Sequence, residues 1–255
     1  MSCRAAISRR SFAIVSAGGV AAAFLAKARA ETGSAPVVVE LFTSQGCGSC
    51  PLADSFLGEL SRQPGVIALS LNVDYWDYLG WRDTLGNPEC TRRQRAYANR
   101  LGKGSLITPQ MVISGSESVA GADRRSVLET IARQAFHNRA HSVAMVVAVH
   151  GSELSIEIAG STDETLRQFS TVWAMMIVPE IEIHIERGEN AGRTIAYNNV
   201  VRRIMPVGTW YGEALHIRLP ISELLHDGVA GCAALVQVAG SGPIIGAAWF
   251  ASGTG

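Results

Sequence analysis

The stretch Val37-Val38-Val39-Glu40-Leu41-Phe42-Thr43-Ser44-Gln45-Gly46-Cys47-Gly48-Ser49-Cys50-Pro51 decides how this chain is read. Its apolar, β-branched opening is the pattern of a buried strand. A polar turn ends the strand, a C-x-x-C follows, and Leu52, Phe56, Leu57 and Leu60 continue at helical spacing. The cysteines therefore fall where a helix begins, and the unpaired N–H groups and positive dipole end there favour a thiolate over a thiol. Such a pair closes a small disulfide ring, and its strand-to-helix setting signals redox chemistry. The competing readings are an inert structural disulfide and half of a zinc site, for which no second pair of ligands stands at zinc-finger spacing.

Upstream, residues 1–30 read as a leader. Ser8-Arg9-Arg10-Ser11-Phe12 is a twin-arginine pattern, the run Phe12 to Ala26 is modestly apolar, and Ala28-Arg29-Ala30 offers a small-x-small cleavage site. The run is too short and too rich in Gly and Ala to span a bilayer, and no later segment reads as transmembrane. The expected location is periplasmic or secreted, a compartment in which disulfides persist. The leader carries five basic residues and no acid, so 22 − 5 = 17 basic residues face 22 acidic ones in the mature chain. That balance gives no support to nucleic-acid binding. Hydrophobic content of 47% against 17% charged excludes a disordered chain.

Downstream, a helix to about Arg62 ends before Pro64-Gly65, and Val66 to Val73 forms a second apolar strand, completing a parallel βαβ unit. Asp74 to Asp83 mixes Tyr75, Trp76, Tyr78 and Trp81 with acids and fits neither helix nor strand. A basic helix from Thr91, read as its cap, runs to Leu101. Thr108-Pro109-Gln110 leads into the strand Met111 to Ile113, a hairpin turn at Ser114 to Glu117 follows, and Asp123 caps a helix to about His137.

This order, with C-x-x-C after the first strand and Thr-Pro before a later one, resembles the thioredoxin fold. The wider set Glu40-Leu41-Phe42-Thr43-Ser44-Gln45-Gly46-Cys47, Ser49-Cys50-Pro51, Asp74-Tyr75-Trp76-Asp77 and Thr108-Pro109-Gln110 is similar to a family of secreted, thioredoxin-like bacterial proteins catalogued as a domain of unknown function. The resemblance extends through Arg187 to Arg193. It implies that Cys47 attacks and Cys50 resolves, and that Pro109 is a cis-proline holding the Thr108 backbone open to an extended substrate. It also implies that Glu40, one residue out of register with the family's buried acid, either relays a proton to Cys50 or stands idle at a strand end. Such a family label identifies a fold better than an activity.

From Ser142 the pattern changes to about eight short strands, including the alternating Glu180 to Glu186, which reads as a β-sandwich-like domain over residues 142–255 after a thioredoxin-like domain over 31–141. The aromatic segment should lie at the same sheet edge as the cysteine turn, so Tyr75, Trp76 and Trp81 are candidates for a substrate groove, or rings that pin the loop. Cys90 is open to three readings: a third redox cysteine, a partner of Cys232, or free. Cys232 reads as a core residue. The pairs His137/His141 and His184/Glu186 read as surface residues, and the segment Arg187 to Arg193 as a turn between strands. No metal or cofactor is expected. The leading function is thiol–disulfide exchange with protein thiols or disulfides of the cell envelope. A binding module with a merely structural Cys47–Cys50 bond is the alternative, and metal delivery a weaker one.

Overall fold

A computed structural model describes residues 35–224 and 228–251, so the leader proposed for residues 1–30 lies outside the described residues. Strand β1 (Val37–Thr43) is buried along its whole length because both of its faces are covered. Its odd-numbered residues Val37, Val39 and Leu41 pack with Ala53, Phe56, Leu57 and Leu60 of α1 (Pro51–Leu60) and with Val127 and Ile131 of α3 (Arg124–Asn138). Val38 and Phe42 face the other way, toward Cys90 and Tyr97 of α2 (Pro88–Arg100). Proline in the first turn of α1 and α2 suits a position that has no helical partner for an N–H. Leu52, expected on the buried face of α1, is 77% exposed, and Ala53 takes its place in the core. Helix α2 starts earlier than Thr91: Asn87 is the cap, its side chain accepting from the Glu89 N–H at 2.8 Å, while the Thr91 hydroxyl donates to Asp74 at 2.6 Å.

Strand β1 pairs parallel with β2 (Val66–Asn72) and antiparallel with β3 (Gln110–Ile113), which carries β4 (Glu117–Ala120) outside it. The sheet does not stop at β2. Beyond residue 141 come β5 (Met145–His150), β6 (Glu153–Ile158), β7 (Ser170–His184), β8 (Thr194–Trp210), β9 (Leu215–Pro220), β10 (Gly231–Val238) and β11 (Ile244–Ala251). The eight-stranded sheet runs β11-β10-β7-β8-β2-β1-β3-β4, joined at its centre by one parallel bridge between Ser70 and Val200. Asn199 supports that junction from a left-handed backbone conformation (φ 50°), its side-chain amide donating to the Ala68 carbonyl at 2.9 Å. A second sheet, β5-β6-β9, covers the β7, β10 and β11 part through a core that includes Ile156, Val172, Ala174, Trp210 and Cys232. The molecule is thus a mixed α/β protein, mostly sheet with few helices. Among the described residues no helix is long and apolar enough to cross a membrane.

Strands β7 and β8 form one long arm. The two runs expected at Val172–Val178 and Ile181–Ile185 are a single strand that continues through Pro179. Pairing with β10 ends at Ile177, so the proline's missing N–H falls where no β10 partner is required. Past that point the arm packs Ile185, Ile195, Tyr197 and Val200 against Leu85 and Trp81, and its turn reaches the cysteine loop.

The two halves of the chain are tied by a buried polar network. Glu40, in mid-β1, accepts from Arg93 Nε and Nη2 of α2 and from the Tyr97 hydroxyl. Arg93 Nη1 donates to Gln237 Oε1 of β10 at 3.0 Å, and Gln237 Nε2 donates to Tyr97 Oη at 2.9 Å. The Arg93 guanidinium also lies over the Trp173 ring, 5.7 Å from its centroid. All four polar side chains are buried. Removing one member strands the opposite charge out of water, whereas replacing both charges by apolar groups does not. Arg93→Met is therefore expected to cost about 3–5 kcal/mol in urea unfolding, and Glu40→Leu combined with Arg93→Met to cost less than Arg93→Met alone. A double variant that is the less stable of the two contradicts this account of the network.

Candidate functional site

The β1–α1 turn is built by its own backbone. The Cys47 N–H donates to the Ser44 carbonyl at 3.1 Å, and the Cys50 N–H to the Cys47 carbonyl at 3.2 Å. Cys50 is the N-cap of α1, and its carbonyl accepts from the N–H groups of Ala53 and Asp54. This fold brings the two Cα atoms to 5.4 Å and closes the Cys47–Cys50 disulfide. Cys50 is wholly buried and Cys47 is only 3% exposed, while Ser49 stands in solvent with its hydroxyl 3.4 Å from the Cys47 sulfur.

Three other segments converge on the turn. The Thr108–Pro109 bond is cis, and a Cβ at Gly121 would press within 3.1 Å of Pro109 Cβ and 3.3 Å of Ala53 Cβ, so Pro109 lies beside the first turn of α1. Trp76 bridges the two features: its Cβ is 3.1 Å from where a Cβ on Gly46 would stand, and its indole N–H donates to the Thr108 hydroxyl at 2.8 Å. Trp81 donates to Gln45 Oε1 at 2.8 Å, but its ring packs under the β7–β8 arm. Tyr75 packs on the core around α2 and against the Trp76 ring. The structure therefore brings Trp76, Thr108 and Pro109 to the cysteines, sets Tyr75 beside Trp76, and joins Trp81 to the turn through Gln45.

The third segment is the tip of the β7–β8 arm. The Gly48 N–H donates to Glu189 Oε2 at 2.9 Å, and Asn190 Nδ2 donates to the carbonyls of Gln45 and Cys47, each at 2.9 Å. The motif Arg187 to Arg193 is the expected turn between strands, with contacts to the cysteine loop that no local pattern announces. The one hint is Gly48, where a Cβ would meet Glu189 Oε2 at 2.4 Å.

The acid expected to serve Cys50 needs correction. Glu40 shares a face with Val38 and Phe42, opposite to α1, and is committed to Arg93 and Tyr97. The acid beside Cys50 is Asp54, one helical turn further along α1 on the buried stripe that includes Leu57. Neither of its oxygens, nor the hydroxyls of Thr43 and Tyr197, has a hydrogen-bond partner among the described residues. Burial pushes the Asp54 carboxyl up to about 8, and the Asp83 charge adds to that shift. Burial also raises Asp83, against bonds from the Gln45 N–H, the Asn72 amide and the Leu85 N–H. Spacing could have found Asp54, four residues after Cys50 and three before Leu57.

Cys90 and Cys232 are unpaired and buried in separate cores. Burial raises both thiols, that of Cys232 to about 12. His137 and His141 stack at 4.7 Å on the far end of α3. Among the described residues no group of three or more His, Cys, Asp and Glu could hold a metal ion.

Fold and site together define a mixed α/β protein with a disulfide-closed C-x-x-C at the start of a helix. The chain belongs to DUF1223, a family of proteins of unknown function, which it matches over residues 38–237. The solved structure of protein AGR_C_4864 from Agrobacterium tumefaciens is similar, with 30% identity and a TM-score of 0.77 over 88% of this chain and 98% of that one. HBP35 of Porphyromonas gingivalis shares the fold at 12% identity and a TM-score of 0.61, over 86% of this chain and 76% of that one. No curated protein matches the sequence.

Asp54 has a consequence for stability. Its folded-state pKa of about 8 lies above the ordinary 3.8, so between those values the folded chain holds a proton that the unfolded chain has lost. Stability should then fall as pH rises through that window. Asp54→Asn is expected to flatten the slope and to gain on the order of a few kcal/mol at pH 8 in urea unfolding with the disulfide intact. A variant as pH-sensitive as the parent, or less stable at pH 8, rules out a neutral buried Asp54.

Proposed function

We propose that this protein carries out thiol–disulfide exchange on proteins of the cell envelope through Cys47 and Cys50, using residues 31–141 as a thioredoxin-like unit. The carrying observation is the convergence of the disulfide, Trp76 and the Thr108–Pro109 segment at one edge of the sheet. In the reduced protein Cys47 attacks a partner disulfide, and Cys50 then attacks the Cys47 sulfur and releases the partner. The Thr108 backbone pairs with the extended partner chain beside Pro109. Asp54, in place of Glu40, exchanges the Cys50 proton within the buried face of α1. A protein substrate fits the surroundings, because Leu52, Tyr78, Leu79 and Ile107 are exposed apolar side chains close in sequence to site residues. Residues 142–255 choose the partner by shaping the rim of this edge. The disulfide fits an oxidising compartment, and the Arg9-Arg10 leader, cleaved near Ala30, is the proposed route there.

One observation favours the second reading, a binding module with a structural disulfide: the low exposure of both cysteines. Trapping separates the two. In Cys50→Ser the second step is blocked, so mixed disulfides should accumulate on Cys47 and appear on non-reducing gels of envelope extracts. Cys47→Ser should trap far less, and both variants should fold, since a loop this short contributes little chain entropy. Absence of trapped species in both strains, with stability unchanged, would leave the structural reading in its place.

A further inference from the structure

The tip of the β7–β8 arm does more than cover the cysteine turn. Asn190 is fully buried, and its amide holds two carbonyls of the turn from 145 and 143 residues away. The Arg193 guanidinium donates to Asn190 Oδ1 at 3.2 Å and so fixes the amide's direction. Thus anchored, the arm sets the Glu189 carboxylate on the Gly48 N–H at 2.9 Å, one residue from the Cys47 sulfur.

Free N–H groups next to a cysteine favour its thiolate, and Gly48 follows Cys47 in the turn that precedes α1 (Pro51–Leu60). Here the Gly48 N–H is already taken, and by a negative group. A thiolate on Cys47 would lose that donor and also face a like charge nearby. The other charged or titratable groups around the turn are Asp54 of α1, Asp83 on the Gln45 N–H, and Arg193, whose cation is turned onto Asn190. None of these replaces the donor at Gly48.

We propose that Glu189 is a positioning residue that sets the direction of exchange: it keeps reduced Cys47 a thiol, disfavours reduction of the Cys47–Cys50 bond, and so makes the reduced protein a donor of electrons to partner disulfides. This rests on the exchange reading above. The Cys47 thiol gives up its proton to water, the thiolate so formed makes a bond to one sulfur of the partner disulfide, and the other partner sulfur leaves and takes up a proton. Cys50 gives up its proton and attacks the Cys47 sulfur, the second partner sulfur leaves, and the partner departs as a dithiol carrying two electrons and two protons. An external dithiol reductant must restore the pair.

The test uses the reduced full mature chain and needs no partner. The pH profile of iodoacetamide alkylation at Cys47 and the equilibrium with glutathione buffers are compared for wild type, Glu189→Gln and Glu189→Asp. Glu189→Gln should move the profile to lower pH and shift the equilibrium toward the reduced protein by about three- to tenfold. Glu189→Asp should stay near wild type, and high salt should shrink the difference, because the carboxylate is exposed. Profiles and equilibria unchanged in Glu189→Gln, or moved equally by Glu189→Asp, overturn the proposal. If the pair cycles but Glu189→Gln changes nothing, the exchange reading stands without it. If Glu189→Gln moves the profile while no strain traps a partner, the exchange reading falls and the electrostatic role of Glu189 stands.

Discussion

A carboxylate in the middle of a fully buried strand is the constraint around which the rest of this structure is arranged. Glu40 has no access to water, and an isolated charge there would cost several kcal/mol. Its neutraliser, Arg93, must reach it from α2, and the remaining guanidinium donor needs an acceptor of its own, which only Gln237 of β10 supplies in the network described. Tyr97 closes the ring of bonds. One buried charge thereby fixes α2 over β1 and holds β10 to both, so the halves of the chain before and after residue 141 share a core in which Phe42 and Leu69 meet Met175 and Leu235.

That shared core aims the β7–β8 arm. With β10 held against the first half, β7 leaves its pairing with β10 at Ile177 and runs on beside β8 toward the cysteine turn. The arm crosses α1 with Asn198 against Gly58, and it delivers Asn190 and Glu189 to the turn. Two buried acids thus lie on opposite faces of the sheet. Glu40 serves packing on the α2 face, and Asp54 lies on the α1 face beside Cys50.

Much of the first half was legible in the sequence. A β-branched run, a C-x-x-C and Pro51 define β1 and the start of α1, because these signals are local and steric, whereas the cis bond at Thr108-Pro109 was expected only from the resemblance to thioredoxin-like proteins. Asp123 was read correctly as a cap for the same reason. The alternation in the second half revealed strands but not their neighbours. Pairing of β8 with β2 depends on a single bridge and an asparagine in a left-handed conformation, which leave no periodic trace. Glu40 stood out as the strand's lone charge, yet its partners sit on α2 and β10, far along the chain. Glu189 and Asn190 were invisible for the same reason: their contacts to the turn span more than a hundred residues.

The central claim is that the Cys47–Cys50 bond is a working redox couple and not a brace. It is tested most directly by treating the native chain from residue 31 onward with a small dithiol in the absence of denaturant, then alkylating and reading each cysteine by mass. The account predicts that Cys47 and Cys50 are labelled as a pair, that Cys90 and Cys232 stay unlabelled in their cores, and that removing the dithiol under oxidant restores the bond with the fold intact. A disulfide that yields only when the whole chain unfolds, with Cys90 and Cys232 labelled alongside it, would contradict the claim.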